Sequence, residues 1–583
     1  GRRVELRYDA VGRLLQRIED PAGLALTTTY RYDGQGRQSE VTDASGRKTT
    51  YSYDREGRLT QVAADPAGLN LRTAYTYDAL GRQITVTEGA GTAQARTIQY
   101  DYDALGRRTA ERLDPAGLNL ITSYAYDAND NVVRRTDATG NVTRFYYDEA
   151  DRMIYTVDPL GVMTRNWFDV TGKVVATRTL IVATDASTLT DTTTIAQLDA
   201  RIAWNPLDPG SYTVYDRDGR ARLILSTIGA IQEFTYDAAG RVSVIRNYAT
   251  LWTDFGTTML NKLFGGTAQL SDFNLDALRN DAATNRARDL VTYQVFTVLG
   301  ELRTTVDNSG SVISYVYDAA GRQTVHKRYL HAAQLNPTIR AKLVAGTASP
   351  QDVIDFTPVD NATDLVDYTT YDSAGRAHFS VDAYGAVVEL LYDAAGRTVG
   401  TRAYASAITI DATLKAQLIA GDPLAEATLR SRTTAIASDA RDLRSYQVYD
   451  SAGRIAATVD SAGYISTRSY DAAGRVIVER RHAQAATINA ALWAKLSAGT
   501  ATVADIAAVA AQNASTDAVV RRIYDAAGRE RYTLTQNSAS TYLVSERRYD
   551  GAGRVTAQYQ YNVSIALGPV ATPADVNAAL NAA

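Results

Sequence analysis

The six residues Tyr-Asp-Ala-Ala-Gly-Arg occupy positions 236–241 and recur almost unchanged along the chain. The same letters stand at 317–322, 392–397, 470–475 and 524–529, whereas the residues between the copies vary. The general form Tyr-Asp-x-x-Gly-Arg begins at Tyr8, Tyr32, Tyr53, Tyr77, Tyr102, Tyr215, Tyr236, Tyr317, Tyr371, Tyr392, Tyr449, Tyr470, Tyr524 and Tyr549. Weakened copies begin at Tyr126, Tyr147, Phe168 and Phe296. The chain is therefore a repeat protein, and its fold follows from the repeat.

The motif predicts a tight turn between two strands. Aspartate in the first position accepts hydrogen bonds from its own turn, and glycine in the fourth position tolerates a positive φ. Between full motifs lies a shorter Asp-x-x-Gly turn, at Asp43, Asp137, Asp158, Asp307, Asp382 and Asp460, and an Asp-Pro-Ala-Gly-Leu variant begins at Asp20, Asp65 and Asp114. The segments between turns are rich in β-branched and aromatic residues, as at 49–53 and 82–87. Strands separated by regular turns predict an antiparallel meander.

We single out two copies of the motif as the structural repeat: Tyr236, Asp237, Gly240, Arg241, Tyr392, Asp393, Gly396 and Arg397. Tyrosine should end one strand and arginine should begin the next. Stacked repeats would then place tyrosine over tyrosine, and arginine near the aspartate of the neighbouring repeat. A catalytic role would require one copy to differ from the rest, and none does, so we predict a structural role for these residues.

Composition removes several classes of function. The 61 basic and 65 acidic residues are evenly spread, which predicts no binding of nucleic acid. The chain has no cysteine, so thiolate metal sites, disulfides and cysteine nucleophiles are excluded. No apolar run approaches the roughly 18 residues of a transmembrane helix, so we predict no membrane span in this segment.

The residues that could carry chemistry form no catalytic pattern. Histidines stand at His326, His331, His378 and His482, and their spacing matches no metal site. Residues 127–131 resemble the start of a calcium loop but lack its glycine and distal glutamate, so a degenerate motif turn is the better interpretation. Asp216 and Asp218 form a carboxylate pair, but Asp216 belongs to a motif turn. We predict no catalytic residue, no cofactor and no metal.

From Tyr215 onward, pairs of motifs alternate with insertions in super-repeats of 75–81 residues. Three insertions share a helical pattern, in which a cap residue precedes apolar residues spaced four apart and a glycine ends the helix. The caps are Asn336, Asp411 and Asn489, and the glycines are Gly346, Gly421 and Gly499. A second helix should follow Ser349. We expect Leu343, Leu418 and Leu496 to make the contacts of the insertions. Packing on the parent sheet is the first expectation, and binding to a neighbouring chain is the alternative.

These patterns divide the chain into four parts. Residues 1–178 are a plain array, and 179–214 are a first insertion. In 215–561, motif pairs alternate with helical hairpins at about 247–292, 329–367, 403–445 and 481–520. Residues 562–583 match the start of a further, truncated insertion, and Gly1 matches the last residue of a turn. We expect the sequence to be a window cut from a longer array.

The recurring Tyr-Asp-x-x-Gly-Arg motif resembles that of the rearrangement-hotspot, or YD-repeat, family. The resemblance covers residues 1–178 continuously and the paired motifs beyond. Members include shells of insecticidal toxin complexes, polymorphic bacterial toxins, wall-associated bacterial proteins and animal teneurins. The resemblance implies a mainly β fold, an antiparallel meander wound as a spiralling or hollow β-shell or rod, here with α-helical hairpin insertions in the second half.

The resemblance also has departures. Toxin shells of the family end in a plug region with a self-cleavage site and a variable toxic domain, and neither pattern is found. The Asp20 segment is superficially similar to the cleavage motif, but it recurs at Asp65 and Asp114, so it is a repeat variant. The regular helical insertions are also absent from the plain family pattern.

These observations predict a non-enzymatic structural scaffold of a secreted or cell-surface bacterial protein. Two alternatives stay open: a cocoon that encapsulates a toxin, and a carbohydrate-binding adhesin whose tyrosines stack on sugars. The expected partners are accordingly copies of the chain itself, an enclosed cargo polypeptide, or surface glycans.

Overall fold

The computed structural model describes residues 4–19, 25–44, 46–66, 70–92, 95–203, 205, 208–278, 289–360, 364–439, 441–513, 516–550, 553–568 and 571–583. Gly1 and the Asp20 variant turn, which the sequence analysis singled out, lie outside the described residues.

Within the described residues, the chain forms one antiparallel sheet of 36 strands. The first sixteen strands are β1 (Val4–Tyr8), β2 (Leu14–Glu19), β3 (Leu26–Tyr32), β4 (Gln38–Thr42), β5 (Lys48–Tyr53), β6 (Leu59–Ala64), β7 (Leu71–Tyr77), β8 (Gln83–Glu88), β9 (Arg96–Tyr102), β10 (Arg108–Leu113), β11 (Leu120–Tyr126), β12 (Val132–Thr136), β13 (Val142–Tyr147), β14 (Met153–Val157), β15 (Met163–Phe168) and β16 (Val174–Thr179).

The other twenty strands are β17 (Gly210–Tyr215), β18 (Ala221–Ser226), β19 (Ile231–Tyr236), β20 (Val242–Asn247), β21 (Leu290–Phe296), β22 (Leu302–Asp307), β23 (Val312–Tyr317), β24 (Gln323–Arg328), β25 (Leu365–Tyr371), β26 (Ala377–Asp382), β27 (Val387–Tyr392), β28 (Thr398–Ala403), β29 (Leu443–Tyr449), β30 (Ile455–Asp460), β31 (Ile465–Tyr470), β32 (Val476–Arg481), β33 (Ala518–Tyr524), β34 (Glu530–Gln536), β35 (Thr541–Tyr549) and β36 (Val555–Ala566).

Each strand pairs antiparallel with its neighbours in sequence, including across the insertions, where β20 pairs with β21 and β24 with β25. The predicted fold class, a mainly β antiparallel meander with helical insertions, is confirmed.

Each full motif makes a bulged hairpin turn. In the copy at Tyr236, the backbone N–H of Asp237 donates to the carbonyl oxygen of Arg241 at 2.9 Å, and the N–H of Gly240 donates to that of Asp237 at 3.0 Å. Gly240 has a φ of +78°, and the strand register shifts at Tyr236. A glycine in the left-handed region beside a register shift is the geometry of a G1 bulge, which explains why this position is glycine.

The helices lie in the insertions and after the last strand. They are α1 (Ile195–Asp199), α2 (Thr257–Phe264), α3 (Leu275–Leu278), α4 (Pro337–Val344), α5 (Pro350–Ile354), α6 (Ala412–Ala420), α7 (Pro423–Ile436), α8 (Ala490–Ser497), α9 (Val503–Ala507) and α10 (Pro573–Ala582). Asn336, Asp411 and Asn489 each accept a hydrogen bond from the N–H three residues ahead, as an N-cap does.

The helices pack on the sheet of their own chain. The insertion that follows β24 sends α4 back over β20 and β21, and the insertion after β32 sends α8 back over β28 and β29. Leu343 of α4 is buried with Val291 and Val306 of the sheet. Each of these hairpins therefore lies over the junction between its own super-repeat and the preceding one, and it couples neighbouring units as the interfaces of a solenoid do.

Two windings of the sheet also touch along their edges. Ser373, in the turn after β25, donates its hydroxyl to the carboxylate of Asp65, in the turn after β6, at 2.6 Å. Ser451, in the turn after β29, donates to Asp114, in the turn after β10, at 2.6 Å. Both contacts join turns nineteen strands apart, so the sheet winds on itself with nineteen strands per winding. We call this contact zone the seam.

Replacing Leu343 by alanine should destabilise the unit under α4 by about 2–5 kcal/mol, because a buried leucine leaves a cavity. Leu343 is 2% exposed, whereas the adjacent Val344 is 54% exposed and provides a matched control. Val344→Ala should change stability by less than about 0.5 kcal/mol. Native-state hydrogen exchange of β20–β22 measures the difference, and equal effects of the two variants would contradict the docking of α4 on these strands.

Candidate functional site

The motif aspartate organises its own turn. The carboxylate of Asp393 accepts hydrogen bonds from the backbone N–H groups of Ala395 and Arg397, both at 2.9 Å, and from Nε of Arg397 at 2.7 Å. Asp237 makes the same three contacts with Ala239 and Arg241. Burial alone would raise the pKa of Asp237, but the hydrogen bonds from the backbone and guanidinium of Arg241 hold it below its usual value.

The motif arginine also contacts the next motif. The guanidinium of Arg220 lies 4.6 Å from the ring centre of Tyr236, and that of Arg376 lies 4.2 Å from the ring centre of Tyr392. The same contact crosses an insertion, because Arg322 lies 4.2 Å from the ring centre of Tyr371. These cation–π contacts join successive motifs along one edge of the sheet.

The motif tyrosine closes the link with its hydroxyl. Tyr236 donates to the carbonyl oxygen of Ala221 at 2.7 Å, and Tyr392 donates to that of Ala377 at 2.6 Å. Each acceptor is the residue after the arginine of the preceding motif. The ring face, the hydroxyl and the turn of each of these motifs are thus all used within the sheet, and we call this series of contacts the ladder.

The ladder differs from the expected stack of tyrosine over tyrosine with arginine near a neighbouring aspartate. Arginine pairs first with the aspartate of its own turn and then covers the tyrosine of the next motif. The reason is spacing. Motif tyrosines stand on alternate strands, about 9–10 Å apart, whereas direct ring contact needs centroids within about 7 Å. The guanidinium fills this gap.

The insertion leucines lie beneath their helices. Leu343, Leu418 and Leu496 are buried in three separate apolar clusters, each shared with strands of the sheet. The C-terminal ends of α4 and α8 lie against motif turns. A Cβ placed on Gly346, after α4, would lie 3.2 Å from Cα of Asp237. A Cβ placed on Gly499, after α8, would lie 2.9 Å from Cα of Asp393. Glycine after these helices therefore allows the helix end to rest on a motif turn.

One buried polar cluster has no counterpart in the sequence analysis. His378 lies between two carboxylates, with Nδ1 2.7 Å from Glu426 of α7 and Nε2 3.2 Å from Glu389 of β27. Glu389 also accepts a hydrogen bond from the hydroxyl of Tyr404 at 2.7 Å, and Arg430 donates to Glu426 at 2.6 Å. Two carboxylates can accept only from a doubly protonated imidazole, so the cluster favours a charged His378.

The pKa values in this cluster follow from these contacts. Burial lowers the pKa of His378, but its hydrogen bonds to Glu389 and Glu426 outweigh burial and raise it above the ordinary value. The hydrogen bond to His378 lowers the pKa of Glu426. Burial and the hydrogen bond to Glu389 raise the pKa of Tyr404 to about 12. The cluster therefore fastens α7 to the sheet by charge as well as by apolar contact.

The other candidate residues lie apart from one another. His326 and His331 are exposed or half-buried, and His482 is buried with Nδ1 3.1 Å from the carbonyl oxygen of Ala511. Asp216 and Asp218 both pair with Arg220 at 2.8 Å, as in a motif turn.

The calcium-like segment is also a turn. Asp127 accepts from the backbone N–H groups of Asn129 and Asn131 at 2.9 Å, and Asp130 takes the position of the motif glycine with a φ of +68°. Among the described residues, no group of three or more histidine, aspartate or glutamate side chains is placed to hold a metal ion. No helix in the described ranges is both long and apolar enough to cross a membrane.

Replacing Asp393 by alanine should cost about 1–3 kcal/mol, because the substitution leaves buried donors of the turn unpaired. Asp393 is 3% exposed. Asp218 is a matched control, since it is a motif-turn carboxylate with a 71% exposed side chain, and Asp218→Ala should have an effect below about 0.5 kcal/mol. Hydrogen exchange of the flanking strands checks both values, and a neutral Asp393→Ala variant would show that the ladder does not stabilise the sheet.

The His378 cluster predicts a pH dependence of stability. Because the folded pKa of His378 is raised, its contribution is complete below about pH 6.5 and is lost as the pH rises through the folded pKa. Because the pKa values of Glu389 and Glu426 are lowered, their contribution is present above about pH 4.3 and falls on acidification. The thermal unfolding temperature, measured from about pH 6.5 to pH 9, should therefore fall as the pH rises. His378→Gln should remove this fall. His331→Gln, which changes an exposed histidine, should leave it in place.

Comparison with known proteins agrees with the repeat geometry. The chain matches the family model described as RHS Repeat at residues 8–48, 32–70, 126–163 and 449–487. No curated protein matches the chain in sequence.

Solved structures align over most of the chain at low similarity. A crystal structure of TcdB2-TccC3-TEV is 13% identical with a TM-score of 0.38, covering 99% of this chain and 25% of that chain. TcdB2-TccC3 without its hypervariable C-terminal region is 12% identical with a TM-score of 0.41, covering 97% of this chain and 29% of that one. The Photorhabdus luminescens Tc holotoxin pore is 13% identical with a TM-score of 0.37, covering 95% and 24%. The chain thus spans only a quarter to three tenths of the length of these structures.

The four matched segments, which lie in both halves of the chain, show that the chain contains RHS repeats.

Proposed function

We propose that the chain is a non-enzymatic scaffold, a stretch of spiral wall in a secreted or cell-surface bacterial protein. In this proposal residues 1–178 are plain wall and 215–561 are wall reinforced by helical hairpins. The observation that carries the proposal is the ladder. In the ladder, the motif arginine contacts the tyrosine ring of the next motif, and the tyrosine hydroxyl donates to the backbone beside the preceding motif. These contacts form across insertions as well as between adjacent hairpins.

The size of the winding supports a hollow wall. Nineteen strands about 4.8 Å apart span roughly 90 Å, which closes a ring about 29 Å across between strand centres. Side chains reach about 5 Å inward from a sheet, so the ring would leave a lumen roughly 20 Å wide.

The helical hairpins fit on the convex side of this wall. A super-repeat of four strands provides about 19 Å of wall, and two helices about 10 Å across fit over that length. On the concave side, helix axes about 10 Å inside the sheet would lie on a circle with about a third of the radius of the wall. Only about a third of the length would then be available to each pair of helices. The face opposite the helices, which carries the motif tyrosines, would therefore line the lumen.

A second candidate function, enclosure of a polypeptide cargo, is favoured by the residues on that face. In the first winding, neighbouring strands pair Tyr51 with Val62, Tyr75 with Val86, and Val86 with Ile98. All of these side chains are half-buried rather than covered. An apolar row that faces a lumen is a surface on which an unfolded chain could rest.

The adhesin alternative has less support. The ladder tyrosines are covered on one face by arginine, and their hydroxyls are bonded to the backbone, so at most one ring face of each is left for sugar stacking.

Two neighbouring residues of β9 test the placement of the lumen. Ile98 lies on the proposed lumen face and Gln99 on the opposite face, and both are half-buried. Because the chain has no cysteine, Ile98→Cys and Gln99→Cys each introduce a single thiol. A small maleimide should label both variants, whereas a bulky polyethylene-glycol maleimide should label Q99C and spare I98C.

Equal labelling of the two thiols by the bulky reagent would overturn the hollow wall. Enclosure of cargo makes a further demand. An unfolded polypeptide fused to the chain should slow the labelling of I98C by the small reagent and leave the labelling of Q99C unchanged.

A further inference from the structure

Five insertions end on a buried aspartate, which stands one or two residues before the strand that follows. These aspartates are Asp208, Asp289, Asp364, Asp442 and Asp517. Their exposed fractions lie between 0% and 6%. Among the described residues, the other buried aspartates are the motif residues Asp237, Asp318 and Asp393. A carboxylate is costly to bury without partners, so the end of each insertion should supply them.

The partners come from both ends of the insertion. Oδ1 of each of these aspartates accepts a hydrogen bond of 3.0–3.1 Å from a backbone N–H where the chain leaves the sheet, and the donors are Ile181, Ala249, Leu330, Ala405 and Ala483. In four insertions Oδ2 accepts a bond of 2.9–3.2 Å from a backbone N–H just before the chain returns, and the donors are Asn205, Asp360, Ser438 and Asn513. One side chain thus joins the two ends of the insertion.

A cation on the strand before the insertion also contacts the carboxylate. The pairs are Arg246–Asp289 at 2.7 Å, Lys327–Asp364 at 2.9 Å, Arg402–Asp442 at 2.7 Å and Arg480–Asp517 at 3.1 Å. In the first insertion the equivalent Arg178 donates to the carbonyl oxygen of Asn205 at 2.8 Å. Burial alone would raise the pKa of Asp442, but the hydrogen bonds from the backbone and from Arg402 hold it below its ordinary value.

The contents of the insertions differ, whereas their ends do not. The first insertion holds the five-residue helix α1, and the insertion at 403–445 holds α6 and the fourteen-residue α7. The groups that bind the carboxylate of Asp442 are Ala405, Ser438 and Arg402, and all three lie outside these two helices. Strand pairing resumes directly beside them, where Ala403 pairs with Leu443. The contacts at the base are therefore separate from the docking of the hairpin.

We propose that this aspartate is a clasp, which holds the two ends of an insertion at the spacing of neighbouring strands so that the sheet continues across the insertion whatever the insertion contains. The clasp and the docking of the hairpin are then two independent attachments. A hairpin that loosens from the sheet leaves the wall closed, and a hairpin of another length fits the same base. This holds whatever the wall encloses.

The insertion at 403–445 offers matched variants for a test. Asp442→Ala removes the clasp. Asp439→Ala is the control for loss of a carboxylate, because the side chain of Asp439 is 79% exposed and also accepts from Arg402, at 3.4 Å. Leu418→Ala tests the other attachment, since Leu418 of α6 is 1% exposed and packs in the apolar cluster beneath the hairpin.

Amide hydrogen exchange is the readout. In D442A, exchange at Ala405 and at the ends of β28 and β29 beside the insertion should accelerate about tenfold to a hundredfold, because buried donors lose their acceptor. Exchange in α6 and α7 should stay as in the parent chain. In L418A the pattern should reverse, with acceleration of about tenfold or more in α6 and none at Ala405. D439A should match the parent chain throughout.

Unchanged exchange at Ala405 and the adjoining strand ends in D442A would overturn the proposal. Equal acceleration of α6 and α7 in that variant would do the same, because clasp and hairpin would then be one unit. So would equal effects of D439A and D442A, or an effect of L418A at Ala405 as large as that of D442A. If D442A does not fold, D442N, which keeps the shape of the side chain and removes its charge, should show the same pattern with a smaller acceleration.

Discussion

The aspartate carboxylate of each motif is the group on which the turns and the contacts between motifs depend. It closes its own turn through two backbone N–H groups and holds the arginine that follows, as Asp393 does with Arg397. An arginine fixed in this way lies over the tyrosine of the next motif, as Arg397 lies 4.5 Å from the ring centre of Tyr449. A local turn therefore also determines the position of the strand two places further on. Repetition of that link extends the sheet without a central core, as expected for an architecture in which each unit contacts its neighbours.

The helical hairpins add a second coupling of the same nearest-neighbour kind. The ladder does not need them, because Tyr371 donates to the carbonyl oxygen of Gln323 across an entire insertion at 2.6 Å. What they add is burial. Val306 and Val312 under α4 and α5 are fully buried, whereas most strand residues of the first winding are half-buried. Among the described residues, the apolar clusters lie from β13 onward, where the sheet is stabilised by ladder and apolar core together.

Departures from the repeat mark places where a unit has acquired an additional contact. Helix α7 has 14 residues, whereas α5 and α9, the second helices of two other insertions, have 5 each, and Glu426 of α7 reaches His378 on the sheet. Asp130 and Asp151 replace motif glycines while keeping a positive φ, and Asp151 accepts hydrogen bonds from Asn129 and Asn131 of the neighbouring turn. The repeat tolerates such changes because the turn geometry is preserved in each.

The sequence by itself determined the turns, the antiparallel order of the strands and the caps of the hairpin helices. These features depend on residues within about five positions of one another, as in Asp393 to Arg397 or Asn336 to Ile339, so a local pattern is enough to predict them. The arrangement of tyrosine and arginine was predicted only in part, because the distance between alternate strands, rather than residue type, decides which groups meet. The tertiary structure alone decided the seam and the partners of His378. Ser373 and Asp65 are 308 residues apart, and their meeting depends on how many strands complete one winding. That number arises from small twists summed over the whole sheet, and no single motif encodes it.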